Sequence, residues 1–167
     1  KLNSFLSENI SIKQIFEVPI DMHARFSATF RTYEYYISTE KNPFTVNSSW
    51  QTWRQKPLNI DAMNAACKIL FEYEDFTSFA KLHTDNKTNI CKIYKAEWEQ
   101  FGNQLKFTIS ADRFLRNMVR AIVGTMVEIG TGKLQPNDLR KIIEDKYRNS
   151  AGVSAPAQGL FLVDVGY

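Results

Sequence analysis

The sequence predicts an α+β domain in which an antiparallel or mixed β-sheet carries helices packed on one face. Three observations lead there. A long run rich in aromatic and β-branched residues lies early, at 25–39. A strand pair around a Gly-Asn turn lies mid-chain, and stretches at helical spacing fill the intervals, with a last apolar strand at the end.

Taken in order, residues 11–18 (SIKQIFEV) read as a short apolar strand that Pro19 ends. In the run 25–39, alternation puts Arg31, Tyr33, Tyr35 and Ile37 on one face. Thr32, Glu34, Tyr36 and Ser38 take the other. Lys41-Asn42-Pro43 breaks the strand, and a loop then carries Trp50 and Trp53. Ile60, Met63, Cys67 and Leu70 follow three-and-four spacing, which predicts a helix capped by Asn59 or Asp61. The polar stretch 81–89 reads as an exposed loop.

Tyr94, Ala96 and Trp98 alternate with Lys95, Glu97 and Glu99, a half-buried strand. Gly102-Asn103 turns it back through Leu105, Phe107 and Ile109. This hairpin feeds the most apolar stretch, 111–130 (ADRFLRNMVRAIVGTMVEIG), read as one central helix. Pro136 suits the first turn of another helix whose buried stripe is Leu139, Ile142 and Ile143. Residues 159–165 (GLFLVDV) read as a closing buried strand. No repeat or internal boundary is visible, so residues 1–167 form one domain.

Composition narrows the class. With 167 residues, 44% hydrophobic and 23% charged, the chain resembles an ordinary soluble domain with a proper core. A net charge of +3 permits an acidic partner such as RNA without demanding one. Cys67 and Cys91 stand far apart, with only His23 and His83 as other soft ligands, so neither zinc nor a disulfide framework is supported. Two reduced thiols in a cytosolic protein is the economical reading. No signal peptide is apparent, and Arg120 interrupts the only long apolar run, so no membrane span is predicted. The chain begins at Lys1 without an initiator Met, which suggests a fragment.

In the central helix Arg113, Arg116 and Arg120 recur at three- and four-residue intervals and would form one basic stripe. Arg113 and Arg116 can reach solvent from its N-terminal end. Arg120 is the odd one, because no further charge follows until Glu128. A guanidinium in apolar surroundings stays ionised and needs an anion, or several kcal/mol are lost. Two readings remain open. Arg120 closes a structural ion pair, with Asp112 or Glu128 for example, or it faces a cleft and meets a phosphate or catalytic carboxylate there.

Tyr33 and Tyr35 share a face with Arg31, and Arg25 lies just upstream. They form either a packed aromatic stripe or a base-stacking platform with cationic neighbours. The stretch 81–92, with Lys81, His83, Lys87 and Lys92, offers either phosphate contacts or plain solvated surface. No P-loop, dinucleotide fingerprint or nucleophile elbow is present.

Five motifs occur in order. They are His23-Ala24-Arg25-Phe26-Ser27-Ala28, Arg31-Thr32-Tyr33-Glu34-Tyr35, Asp75-Phe76-Thr77-Ser78-Phe79, Met118-Val119-Arg120-Ala121-Ile122-Val123-Gly124 and Gly159-Leu160-Phe161-Leu162-Val163. Together they resemble the C-terminal half of the tRNA pseudouridine synthase A family over nearly the whole chain. The resemblance implies a pseudouridine synthase-like α+β fold and isomerisation of uridine to pseudouridine in the anticodon stem-loop of tRNA. It further implies no metal or organic cofactor, a homodimer, and a cytoplasmic location with no membrane. It makes Tyr33 the tyrosine that stacks on the target base. Arg120 becomes the partner of the catalytic aspartate, and Leu160 an apolar residue lining the pocket. Arg25, Arg31, Lys87, Arg113 and Arg116 are the expected RNA contacts.

One part of the pattern is missing. The family's aspartate stands in a G-R-T-D-A-G-V-H-like motif, and none of this chain's eight aspartates has such a setting. The resemblance therefore implies a C-terminal half whose Asp-bearing N-terminal domain lies outside this sequence. The piece is expected to be inactive alone, the alternative being a non-catalytic RNA-binding or dimerisation module of the same fold.

Overall fold

Cross-strand rows of apolar side chains organise the molecule, in a computed structural model that describes residues 1–81 and 87–167. The central strand is β1 (Phe30–Ser38). Along one edge it pairs antiparallel with β4 (Gln104–Ala111), which pairs in turn with β3 (Ile93–Phe101). Along the other it pairs antiparallel with β5 (Leu160–Gly166) and, at Ile37 and Ser38, parallel with the two-residue β2 (Trp50–Gln51). The sheet is thus mixed, as expected.

Register brings Tyr33, Ile109 and Ala96 into one row, and Tyr35, Phe107 and Trp98 into the next. Trp98 stacks on Phe107 with ring centroids 4.8 Å apart. Against this face lie α1 (Ile60–Leu70), α2 (Met118–Gly130) and α3 (Asp138–Glu144), whose buried residues join the same core. The opposite face carries Glu34, Lys106 and Glu99, with Lys106 paired to Glu99 at 3.0 Å. One apolar and one charged face is what strict alternation along β1 and β4 produces. The helix at 60–70 is capped as expected, the Asn59 side chain accepting from the Ala62 amide.

Six expectations need correction. Residues 11–18 form no strand; the Ile12 backbone is held in both directions by the Asn3 side chain, and Ile15 and Phe16 are exposed. The strand expected from 25 begins only at Phe30, because residues 23–28 are closed into a turn by the His23 side chain. Tyr94 faces outward: a bulge between Ile93 and Lys95 gives its inward place to Ile93. The helix expected over 111–130 starts at Met118. Ala111 still belongs to β4, and Asn117, at φ 69° in the left-handed region, marks the turn from loop into helix. The terminal strand exists but is not buried, with Phe161, Leu162 and Val163 on an unpaired edge. Trp50 also proves to lie in β2 and not in a loop.

Two close approaches fix the parts around Arg120. Gly159 sits against the Tyr35 ring and the Tyr36 carbonyl, where a Cβ would come within 2.8 Å of both. That contact sets where β5 starts. In α2, Gly124 lies directly under the Val153 carbonyl, so the segment 151–155 rides on the helix backbone itself.

Candidate functional site

Because α2 starts at Met118, Arg113 and Arg116 are loop residues, and the basic stripe splits in two. Arg116 is exposed, its backbone carbonyl accepting from the Lys81 amide. Arg113 lines a groove of about 1030 Å³ at the Phe30 end of β1.

Tyr33 lies in this groove, half-buried, its ring edge-on to Phe114 at 5.2 Å and 87°. One wall is the turn 24–29, the other the loop at Asp112–Phe114, and Leu162 and Val165 of β5, with Tyr167 just beyond it, also contribute. Arg25, Arg31, Lys87 and Arg113 line it with one carboxylate, Asp112. Its Oδ1 accepts from the backbone amides of Lys92 at 2.8 Å and Arg113 at 2.7 Å. Four cations around an aromatic ring suit an anionic ligand with a flat face. Arg25 leans on the exposed ring of Phe26, its guanidinium carbon 5.5 Å from the centroid.

Arg31 is placed differently from its neighbours. Its guanidinium donates to the carbonyls of Ala28 (2.8 Å), Asp112 (2.7 Å) and Arg25.

Arg120 and Leu160 do not line this groove. They lie one step along the same face, around Tyr35. Leu160 is the register partner of Tyr35, as Leu162 is of Tyr33. Tyr33 and Tyr35 are therefore adjacent same-side residues, roughly 6.6 Å apart along the strand. The Tyr35 hydroxyl donates to the Pro156 carbonyl at 2.7 Å, and burial pushes its phenol well above the usual range, partly opposed by the charge of Arg120. Arg120 is held by its own loop: its Nε donates to the Ala155 carbonyl at 2.6 Å, while the Ala155 amide donates to the Arg120 carbonyl at 2.9 Å. Among the described residues no carboxylate forms an ion pair with it. The structural pairing with Asp112 or Glu128 is therefore not what the fold uses. The guanidinium is oriented, half-buried and free of a counter-ion from the described chain.

Sequence reasoning missed Phe114, Leu162, Val165 and Tyr167 as groove residues. Phe114 falls within the apolar stretch 111–130 that the pattern assigns to the central helix. A bulge between Thr32 and Tyr33 on the β5 side brings Leu162 opposite Tyr33, a shift that alternation does not signal. His83 and Asp85 lie outside the described residues. Cys67 and Cys91 are buried apart from one another, with burial pushing their thiols up to about 12 and about 11. Among the described residues no three His, Cys, Asp or Glu side chains gather as a metal site would require, and no helix is long and apolar enough to cross a membrane.

A family model described as tRNA pseudouridine synthase matches residues 66–167. The chain is 56% identical to the tRNA pseudouridine synthase A of Bacteroides fragilis, and 53% to that of Parabacteroides distasonis. Each match takes in 100% of this chain and 66% of the relative. The Bacillus subtilis protein of the same name is 36% identical, over 99% of this chain and 67% of that protein. The chain thus spans about two thirds of the length of these relatives.

Proposed function

The chain belongs to the tRNA pseudouridine synthase family, and from that membership we propose that it supplies one side of the site at which a tRNA uridine, in the anticodon stem-loop, is isomerised to pseudouridine. The observation that carries the reading is Arg120, an oriented cation without a carboxylate partner among the described residues.

The target uracil is stacked in a stem and must be turned out, at a cost of a few kcal/mol. Tyr33 returns part of this by stacking on the base, about 1–3 kcal/mol. Arg25, Lys87 and Arg113 around the groove, with Arg116 beside it, contact phosphates and place the stem without reading its sequence. The catalytic aspartate comes from outside this chain and meets Arg120, which keeps it ionised and aimed, since a close cation lowers a carboxyl's pKa. The N1–C1′ bond breaks, the uracil turns and a C5–C1′ bond forms; C5 then loses its proton and N1 takes one up, so the product is an isomer of the substrate. Leu160 keeps water from the detached intermediate.

The same reading makes the whole protein a cytoplasmic homodimer acting without metal or organic cofactor. The exposed apolar residues Phe161 and Val163 on the open edge of β5 support a covered edge there.

The test is release of tritium from tRNA labelled at uridine C5. The full-length protein releases it and residues 1–167 alone do not. A full-length protein that binds tRNA and releases none would establish the non-catalytic module instead.

A further inference from the structure

The geometry points to Arg31 as a positioning residue that ties the two walls of the Tyr33 groove together, and not as a phosphate contact. This rests on the reading of the groove as the place where the flipped base is held.

The N–H groups of Arg31 reach backbone on both sides of the groove. One Nη1 serves both walls, donating to Ala28 on the 24–29 turn and to Asp112 on the opposite loop, and Nη2 adds the Arg25 carbonyl. A guanidinium has five donors in a rigid plane, so it can hold several carbonyls at fixed mutual angles where an ammonium cannot. The turn so held has little else to define it. It contains no helix or strand, and its internal closure is the His23 ring accepting from the Arg25 and Phe26 amides, with Ser27 bonded to the His23 backbone in both directions. From outside, Tyr167 donates to the Ala24 carbonyl at 2.9 Å, and the Thr29 amide donates to Gly166. Those contacts fix the turn to the C-terminal strand. Among the described residues, Arg31 is the group that bonds it to the Asp112 loop, which carries Arg113 and Phe114. It thereby fixes the loop whose Phe114 braces Tyr33 edge-on, and so the place where a base can stack on Tyr33. With three of its N–H groups engaged by backbone carbonyls of the two walls, Arg31 is held by the groove's own backbone, although it lies among cations that can meet a phosphate.

Two functions of one arginine predict different measurements. A phosphate contact contributes to affinity, and its loss lowers the slope of log K against log salt by about one. A tie contributes to geometry, so its loss lowers kcat and leaves that slope alone. In the full-length protein, Arg31→Lys keeps the charge and loses the planar fork. Its kcat on tRNA should fall at least tenfold, with Kd within threefold and the salt slope unchanged. Hydrogen exchange of the same variant should quicken in both 23–29 and 112–116. Tyr167→Phe, which loosens one wall only, should quicken the first segment and spare the second.

A measurement on the unsubstituted protein guards against a variant that does not fold. On adding an anticodon stem-loop RNA, the Arg31 guanidinium NMR signals should hold their positions while those of Arg25 and Arg113 move. Arg31 signals that move with the others, a salt slope lowered by about one, or exchange unchanged at both walls would each overturn the assignment. Exchange and NMR read the tie whether or not the protein proves to be an isomerase.

Discussion

Replacing Gly124 by Ala opposes two effects of known sign. In the interior of a helix Ala is favoured over Gly by about 1 kcal/mol, so propensity alone predicts a more stable protein. Packing predicts the reverse. A Cβ on Gly124 would lie deep inside the contact distance of the Val153 carbonyl oxygen, 2.9 Å from its carbon and 3.4 Å from the Ala155 amide. Backbone cannot rotate aside as a side-chain tip can, so the whole segment 151–155 must retreat by more than 1 Å. Overpacking of that kind costs about 1–3 kcal/mol or more. Retreat also stretches three bonds to α2: both Arg120–Ala155 bonds and the Gly152 amide to Thr125 Oγ1 at 2.9 Å, each contributing about 1 kcal/mol. With those three bonds weakened and not lost outright, and set against the propensity gain, the net loss is about 2–4 kcal/mol, a fall in Tm on the order of 10 °C for a chain of this size. Calorimetry of residues 1–167 as glycine and alanine forms measures it. A Tm equal to or above that of the unsubstituted chain would refute the claim that α2 bears directly on the segment holding Arg120.

Asn117 tests how α2 begins: at φ 69° its backbone suits glycine, and its Nδ2 donates to Ser154 at 2.6 Å. In urea unfolding, Asn117→Gly should stay within about 1 kcal/mol while Asn117→Val loses about 2–3 kcal/mol; equal losses would remove the left-handed turn from the account. For Asp75, burial works against ionisation, but Lys146 at 2.8 Å and the Thr77 hydroxyl and amide outweigh it, leaving the carboxyl below its usual range. A depressed carboxyl stabilises the fold above its unfolded pKa and loses that contribution as pH falls through the folded one. Asp75→Asn should therefore lose less stability than the unsubstituted chain between pH 7 and pH 3, and identical losses in urea titrations would show that Asp75 contributes nothing. The thiols of Cys67 and Cys91, buried and pushed up to about 12 and about 11, should resist a thiol reagent at pH 8 until the chain is unfolded; rapid labelling of the native chain would contradict their burial.

Where one physical signal acted alone, the sequence was legible. The period of two along Tyr33, Tyr35 and Ile37 gave the inner face of β1, and Asn59 with the Ile60, Met63, Cys67, Leu70 spacing gave α1 and its cap. Errors arose where local backbone geometry overrode the pattern. The helical spacing of Phe114 and Leu115 with Met118 and Val119 carries across Arg116-Asn117, so nothing in the hydrophobic period marks the left-handed Asn117 that separates loop from helix. Bulges at Tyr94 and beside Tyr33 each shift one strand by a residue, reversing which side chains face inward. Residues 160–163 are apolar enough for a core strand yet lie on an open edge, because burial depends on what stands beside a strand as well as on its composition. In the site, the unusual character of Arg120 was visible from its apolar neighbours. That Arg31 spends its donors on backbone was not, since an arginine on paper looks the same whether it faces a phosphate or three carbonyls.

The pairing of Arg120 with an acid from beyond this chain is tested most directly by the pH dependence of single-turnover isomerisation in the full-length protein, with Arg120 and with Met in its place. The account predicts a rate at least about 100-fold lower in the Met variant, tRNA binding within a few-fold, and an acidic limb moved to higher pH, because the carboxyl has lost the cation that kept it ionised. A Met variant with an undiminished rate and an unmoved acidic limb would contradict it.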